Sequence, residues 1–255
     1  MKVTVCELPA EMSDLSDAWD QLVAHTHRHK PDVVLLPEMP FFTWLAAAKK
    51  VDPARWTKAV EAHDRWQQRF ADLGGTTVLG SRPIVVRGKR LNEGFVWESG
   101  KCRGVHQKYY LPDEAGFWEA TWYQRGKNEF AVAESDAGPV GFLICTEVWF
   151  GQHARDYGRQ GAGLIATPRA TEWASRDKWL AGGRAAAVVA GAFGLSSNRS
   201  GTDATGLRWG GYGWVISPDG DVIATTSEGS PFATVEIDLL QAERAKKTYP
   251  RYVAD

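Results

Sequence analysis

The sequence has little that would mark it for an unusual environment. Only three cysteines occur in 255 residues, an odd number without paired spacing, which argues against a disulfide framework and suits a reducing, cytoplasmic setting. Charge of one sign is not in excess: Lys and Arg total 30 against 31 for Asp and Glu, a net charge of −1. That balance excludes the electrostatic footprint of a nucleic-acid or anionic-membrane binder. No apolar run approaches the ~20 residues that cross a bilayer, and the opening MKVTVCELPAEM lacks a signal-peptide apolar stretch. Phosphate-binding glycine loops are missing too. Neither Gly74-Gly75 nor Gly182-Gly183 has the required spacing after a strand, which disfavours a cofactor-dependent α/β enzyme. His25 and His29 in HTHRH stand one helical turn apart but lack an acidic or cysteine partner close in sequence. A solvated helix end is expected there, not a metal site.

What the chain does have is a heavy load of tryptophan, 12 residues, and a regular interleaving of patterns. KVTVCEL reads as a strand, the stretch from Leu15 to His27 as an amphipathic helix, and VVLLP as a second strand. A long helical region is expected from Leu45 to Leu73, interrupted near Pro53. TTVLGSRPIVV is β-rich, and LNEGFVWESGKCRGVHQK reads as a hairpin turning at Glu98-Ser99-Gly100-Lys101. A loop poor in aliphatics runs from Tyr109 to Asn128, followed by FAVAESDAGPVGFLIC as a second hairpin. Then come a helix to about Gln160, the strand GLIAT, a helix from Arg176 to Ala190 and the strand AFGLSS. A closing β-meander, GYGWVISPDGDVIATT and FATVEID, turns at Pro218-Asp219-Gly220. With no linker, repeat or low-complexity segment, one α/β domain with a mixed sheet system is expected over residues 1–255.

Three polar residues stand at ends of predicted strands: Glu38 after VVLLP, Lys108 after RGVHQ and Cys145 after VGFLI. In open α/β sheets ligands bind at such edges. Each residue also has a plainer reading. Glu38 would cap a following helix, Lys108 would be a solvated strand end, and Cys145 a small core residue, as Cys6 and Cys102 are expected to be. Together, a carboxylate, an ammonium and a thiol suffice for acyl chemistry. The carboxylate takes the thiol proton as sulfur attacks and passes it to a departing amine. The ammonium and the backbone N–H of Thr146 hold the oxyanion. Loss of ammonia leaves a thioester, which water releases as the acid.

These residues resemble the motifs of the nitrilase superfamily of carbon–nitrogen hydrolases, almost from end to end. LLPEMPF is similar to the family's first motif, with its glutamate base at Glu38. HQKYYLPDEAGFWEATWYQRG is similar to the second, with Lys108. GFLICTEVWFGQHARDYGRQGAGLIATP is similar to the third, with the nucleophile at Cys145. GGRAAAVVAG and SSNRSG match the downstream pattern. The resemblance implies a four-layer α-β-β-α sandwich, assembly into homodimers or larger homo-oligomers, and no cofactor or metal. It also implies a second glutamate in the loop after the lysine. The pattern K-x-x-x-P-x-x-x-G-x-x-E puts it at Glu119, with Glu114 the nearer rival. Two departures follow the cysteine: Glu147 stands where the family usually has aspartate, and Gly151-Gln152 where it has Pro-Glu. Trp214 follows the glycine at Gly213.

The activity implied is hydrolysis of a linear amide or N-carbamoyl compound. A nitrilase acting on C≡N bonds would use the same residues, but the short chain is more like amidase-type and carbamoyl-type members, and the loop KYYLPDEAGFWEATWYQRG particularly resembles carbamoylase members. A catalytically idle scaffold would be expected to lack one of the three residues, and an acyltransferase to carry a further domain or anchor. Thr146, Trp118, Trp149, Arg169 and Glu172 are expected near the substrate. For Arg169 and Glu172 the alternative is a surface ion pair. For Trp118, Trp122, Tyr123, Trp149 and Phe150 it is packing of the core or a subunit contact.

Overall fold

Apolar runs and strict alternation sort the strands of this protein into two sheets, seen in a computed structural model that describes residues 1–254. In chain order the first five strands are β1 (Lys2–Pro9), β2 (Val33–Leu35), β3 (Thr77–Val86), β4 (Lys89–Glu98) and β5 (Lys101–Gln107). A two-residue pair follows, β6 (Asp113–Glu114) and β7 (Phe117–Trp118), then β8 (Val140–Phe142) and β9 (Leu164–Pro168). The last four are β10 (Phe193–Ser200), β11 (Trp214–Ile216), β12 (Val222–Thr225) and β13 (Phe232–Glu236). The α-helices are α1 (Leu15–His29), α2 (Pro53–Gln67), α3 (Glu119–Trp122), α4 (Gly151–Arg159), α5 (Arg176–Ala190) and α6 (Leu239–Ala245).

One sheet has the order β13-β1-β2-β3-β4-β5, parallel from β1 to β3 and antiparallel elsewhere. The other has the order β8-β9-β10-β11-β12, parallel from β8 to β10. They join where Glu7 to Pro9 leave the first sheet and pair with Asn198 to Ser200. Between the sheets, Val3, Val5, Val33, Leu35, Leu79 and Val96 meet Val140, Phe142, Leu164, Ala166, Phe193 and Leu195. Outside the first sheet, Leu15, Trp19 and Leu22 of α1 pack with Phe70 on Cys6, Val34, Leu36, Val78 and Phe95. Outside the second, Tyr157 of α4 and Ala186 and Ala190 of α5 cover Leu143 and Ile165. The layers run α-β-β-α, as the resemblance implied. Cys6 is an inert core thiol, which burial pushes up to about 12.

The hairpin of β4 and β5 turns where expected. Ser99 and Gly100 both take positive φ, 51° and 77°, the two-residue turn whose twist matches the flanking strands. Elsewhere the elements depart from the sequence reading. Pro53 begins a helix instead of interrupting one, with Asp52 capping it through the Ala54 N–H at 2.9 Å. Before it only Leu45–Ala47 form a 3₁₀ turn. The expected hairpin around Asp136 shrinks to one bridge between Ala133 and Val140, because the Gln160 amide takes the backbone of Phe130 and Val132 instead. FATVEID leaves the meander altogether. As β13 it crosses to the open edge of β1, where Ala233 and Val235 turn onto the inter-sheet core.

Candidate active site

The four ionisable residues singled out at strand and loop ends come together where the sheets meet. Glu38 lies just beyond β2, Lys108 just beyond β5, Cys145 two residues beyond Leu143 in the chain that leaves β8, and Glu119 opens α3. Lys108 Nζ donates to Glu38 Oε1 at 2.8 Å and to Glu119 Oε2 at 2.6 Å. Glu38 and Lys108 are fully buried, Glu119 and Cys145 nearly so, at 1% and 3% exposed. Burial alone opposes the Lys108 ammonium, but Glu119 and Glu38 outweigh it and hold the group well above its ordinary range. Burial likewise raises Glu119, to about 7, with Lys108 working against that shift. The Cys145 thiol is pushed well up, first by burial and then by the Glu38 carboxylate; Lys108 and the backbone at Ala170 pull the other way.

The backbone at the turns that carry Glu38 and Cys145 is held in an unfavourable form. Cys145 has φ 49° and Met39, directly after Glu38, has φ 41°, left-handed values that non-glycine residues adopt only when their surroundings enforce them. Around Met39 the enforcing group is Arg199 on β10. Its buried guanidinium donates to the carbonyls of Glu38 at 3.3 Å and Phe42 at 3.0 Å, and also to that of Met39. Asn92 Nδ2 donates to Glu38 Oε1 at 2.7 Å, so that oxygen carries two donors while Oε2 has no hydrogen-bond partner among the described residues. Tyr123 donates its hydroxyl to Glu119 Oε2.

Cys145 opens onto a cavity of about 370 Å³ lined by Glu119, Thr146, Trp149, Glu172, Phe117, Glu114, Lys178 and Trp179 among others. Two larger clefts, of about 610 and 500 Å³, contain none of the four. Of the rival loop glutamates, Glu119 reaches Lys108, and Glu114 stays exposed at the cavity wall. Thr146, Trp149 and Glu172 line the cavity as the sequence suggested. Arg169 and Trp118 do not. The Arg169 guanidinium is buried behind the wall, bound to Ser196 Oγ, Thr171 Oγ1 and the Tyr212 carbonyl and lying 3.9 Å from the Trp214 ring centre. Neither is it half of a surface ion pair. Trp118 packs beneath Lys49, 4.7 Å from its ring centre, and the neighbouring Phe117 takes the place on the wall. Trp122 is a core residue, and Phe150 stacks on Tyr110 at 3.4 Å. His25 and His29 stack on each other, and His25 Nε2 bonds Thr234 Oγ1 at 2.7 Å, tying α1 to β13.

Asn92, Tyr123 as a partner of Glu119, and Arg199 were not read as site residues. No local pattern distinguishes them: Asn92 sits mid-strand, and Arg199 lies 161 residues from the carbonyl it holds.

A buried thiol, an ammonium and two carboxylates thus stand together beside a cavity of small-molecule size. The chain belongs to the carbon-nitrogen hydrolase family, whose model matches residues 2–247, and it is a carbon–nitrogen hydrolase. It is 23% identical over 249 residues to an N-carbamoylputrescine amidase of Arabidopsis thaliana, covering 89% of this chain and 83% of that one. In structure it is similar to a carbon-nitrogen hydrolase of Helicobacter pylori G27, with a TM-score of 0.87 at 19% identity over 98% of this chain and 94% of that one. It is also similar to a mutant of the amidase of Nesterenkonia sp. AN1, with a TM-score of 0.78 at 18% identity over 96% of this chain and 92% of that one. That amidase mutant carries the acetamide moiety of fluoroacetamide on its active-site cysteine.

Proposed function

We propose that the protein hydrolyses a linear amide or an N-carbamoyl compound, releasing ammonia through a thioester on Cys145. The convergence of Cys145, Lys108, Glu38 and Glu119 behind one cavity carries this reading. Because burial and Glu38 keep the resting sulfur a neutral thiol, attack needs a base in the same step. Glu38 suits that role: Oε1 is committed to Lys108 and Asn92, leaving Oε2 to take the thiol proton. As sulfur bonds the carbonyl carbon, the oxyanion that forms is held by the Lys108 ammonium and the Thr146 N–H. Glu38 returns its proton to the nitrogen, the C–N bond breaks and ammonia leaves. Water then adds to the thioester with a carboxylate taking its proton, and the acid departs as the thiol is restored. For an N-carbamoyl substrate the acid is a carbamic acid, which sheds carbon dioxide to free the amine. The relative named for N-carbamoylputrescine supports the carbamoyl branch.

The test is ammonia release from a panel of amides, N-carbamoyl amines and nitriles by wild type and by Cys145→Ala. Release by the wild type alone, with Cys145→Ala equally folded by circular dichroism, is the expected result. Turnover by Cys145→Ala would assign the nucleophile elsewhere, and consumption of nitriles alone would replace the amide reading.

A further inference from the structure

We propose that Glu147 is a positioning residue that fixes the Cys145 turn against the strand bearing Lys108; this rests on Cys145 being the nucleophile. Glu147 is fully buried, and a carboxylate withdrawn from water persists only where donors replace its hydration. Three do so, and they come from both sheets. Oε2 accepts from the Ile144 N–H at 2.8 Å and from His106 Nε2 at 2.7 Å, and Oε1 accepts from the Tyr109 N–H at 2.8 Å. Ile144 immediately precedes Cys145, and Tyr109 immediately follows Lys108. One side chain therefore ties the residue beside the sulfur to the residue beside the ammonium.

The bond to Ile144 also closes the short 3₁₀ turn from its start, together with the Glu147 N–H donating to the Ile144 carbonyl at 3.1 Å. Cys145 is the first residue inside this turn and takes a left-handed φ, a conformation that needs external support. His106, on β5 itself, holds the shared oxygen. Its Nδ1 is buried without a partner among the described residues, so placing the ring proton on Nε2 leaves only an acceptor unmet and makes Nε2 the donor to Glu147. Nothing in this network touches the cavity. Its effect on the reaction runs through the relative placement of sulfur and ammonium, where an error of about 1 Å costs about 100-fold in rate.

Glu147→Gln keeps the volume but must turn an N–H₂ toward at least one of three donors, which releases one tie. The expected result is a kcat lowered by about 100-fold with KM within about threefold of wild type. Alkylation of Cys145 by iodoacetamide, followed by mass spectrometry of the folded protein, should slow in parallel. A kcat and an alkylation rate both within about threefold of wild type would overturn the proposal, as would a loss that follows a raised KM instead. Should Glu147→Gln fail to fold, His106→Ala and His106→Gln decide the matter. The alanine should slow both readouts about tenfold, and the glutamine, which restores an N–H at similar reach, should recover most of that; equal rates in the pair would reject the role. If the wild type turns over none of the panel, the hydrolase reading has failed, and the alkylation rates alone still judge the placement.

Discussion

Lys108 joins a structural role to the chemical one proposed for it. Its ammonium is the shared partner of two buried carboxylates, at 2.8 and 2.6 Å. Lys108→Met would leave Glu38 and Glu119 side by side with no cation, and removing one member of a buried ion pair typically costs about 3–5 kcal/mol. We expect the variant to be inactive and destabilised by about that amount at pH 7. The deficit should shrink at pH 5, because the stranded Glu119 carboxylate, already raised by burial, can then take up a proton, which urea melts of both proteins at the two values would check. A deficit unchanged by pH would mean that the pair does not depend on Lys108. Glu38, Lys108 and Cys145 were legible in the sequence because each ends a predicted strand, and Glu119 because the loop pattern of the family the sequence resembles counts to it. Arg169 was misread for the same reason. It follows a strand end, but its guanidinium turns behind the wall, toward Ser196 and Tyr212.

At the scale of elements, the helices behind Cys145 are set by glycines that no phosphate requires. A Cβ at Gly158 of α4 would stand 2.2 Å from the Ala190 carbonyl oxygen of α5, so the two helices meet backbone to backbone. Alanine would gain up to about 1 kcal/mol in helix propensity, but the overlap is with backbone that cannot swing aside. Overpacking of this kind costs about 1–3 kcal/mol. Gly158→Ala should therefore lower the denaturation midpoint, whereas Gly151→Ala, at the first position of α4 where a Cβ would meet nothing within 4 Å among the described residues, should leave it level or slightly raised. Equal midpoints would show that the α4–α5 contact relaxes freely. Gly182 and Gly183 act similarly on α5, where the Trp149 and Trp214 rings lie 2.9 and 2.7 Å from the Cβ positions they lack. Their pairing in the sequence carries packing information that becomes readable only once those tryptophans are placed.

For the whole molecule, acid is the predictable weakness. His63 is buried beside the loop that follows Glu38; its Nδ1 faces the Ala59 carbonyl at 2.7 Å, and the Phe41 N–H donates to Nε2 at 3.3 Å. Those partners fit the neutral ring, and burial lowers its pKa from 6.5 to about 3. Between those values the unfolded chain binds a proton that the native state does not, so stability falls as pH falls. The slope is about 1.4 kcal/mol per pH unit for this group. Between pH 6.5 and 5 the wild type should lose roughly 1.6 kcal/mol that His63→Gln does not, as read from urea melts. Parallel pH profiles would remove His63 from the account.

The sequence by itself determined the alternation of strands and helices, the family, and the positions of the thiol, the ammonium and both carboxylates, because these depend on local periodicity and on motifs a few residues long. Only the tertiary structure decided that β13 leaves its meander for β1, and that Asn92, Tyr123 and Arg199 hold the glutamates or their turn. It alone also showed Glu147 reaching across from one sheet to the other. The physical reason is the same in each case. An open strand edge or a buried charge is satisfied by whatever partner the packed sheets bring within hydrogen-bond range, and that partner leaves no trace in the neighbouring sequence.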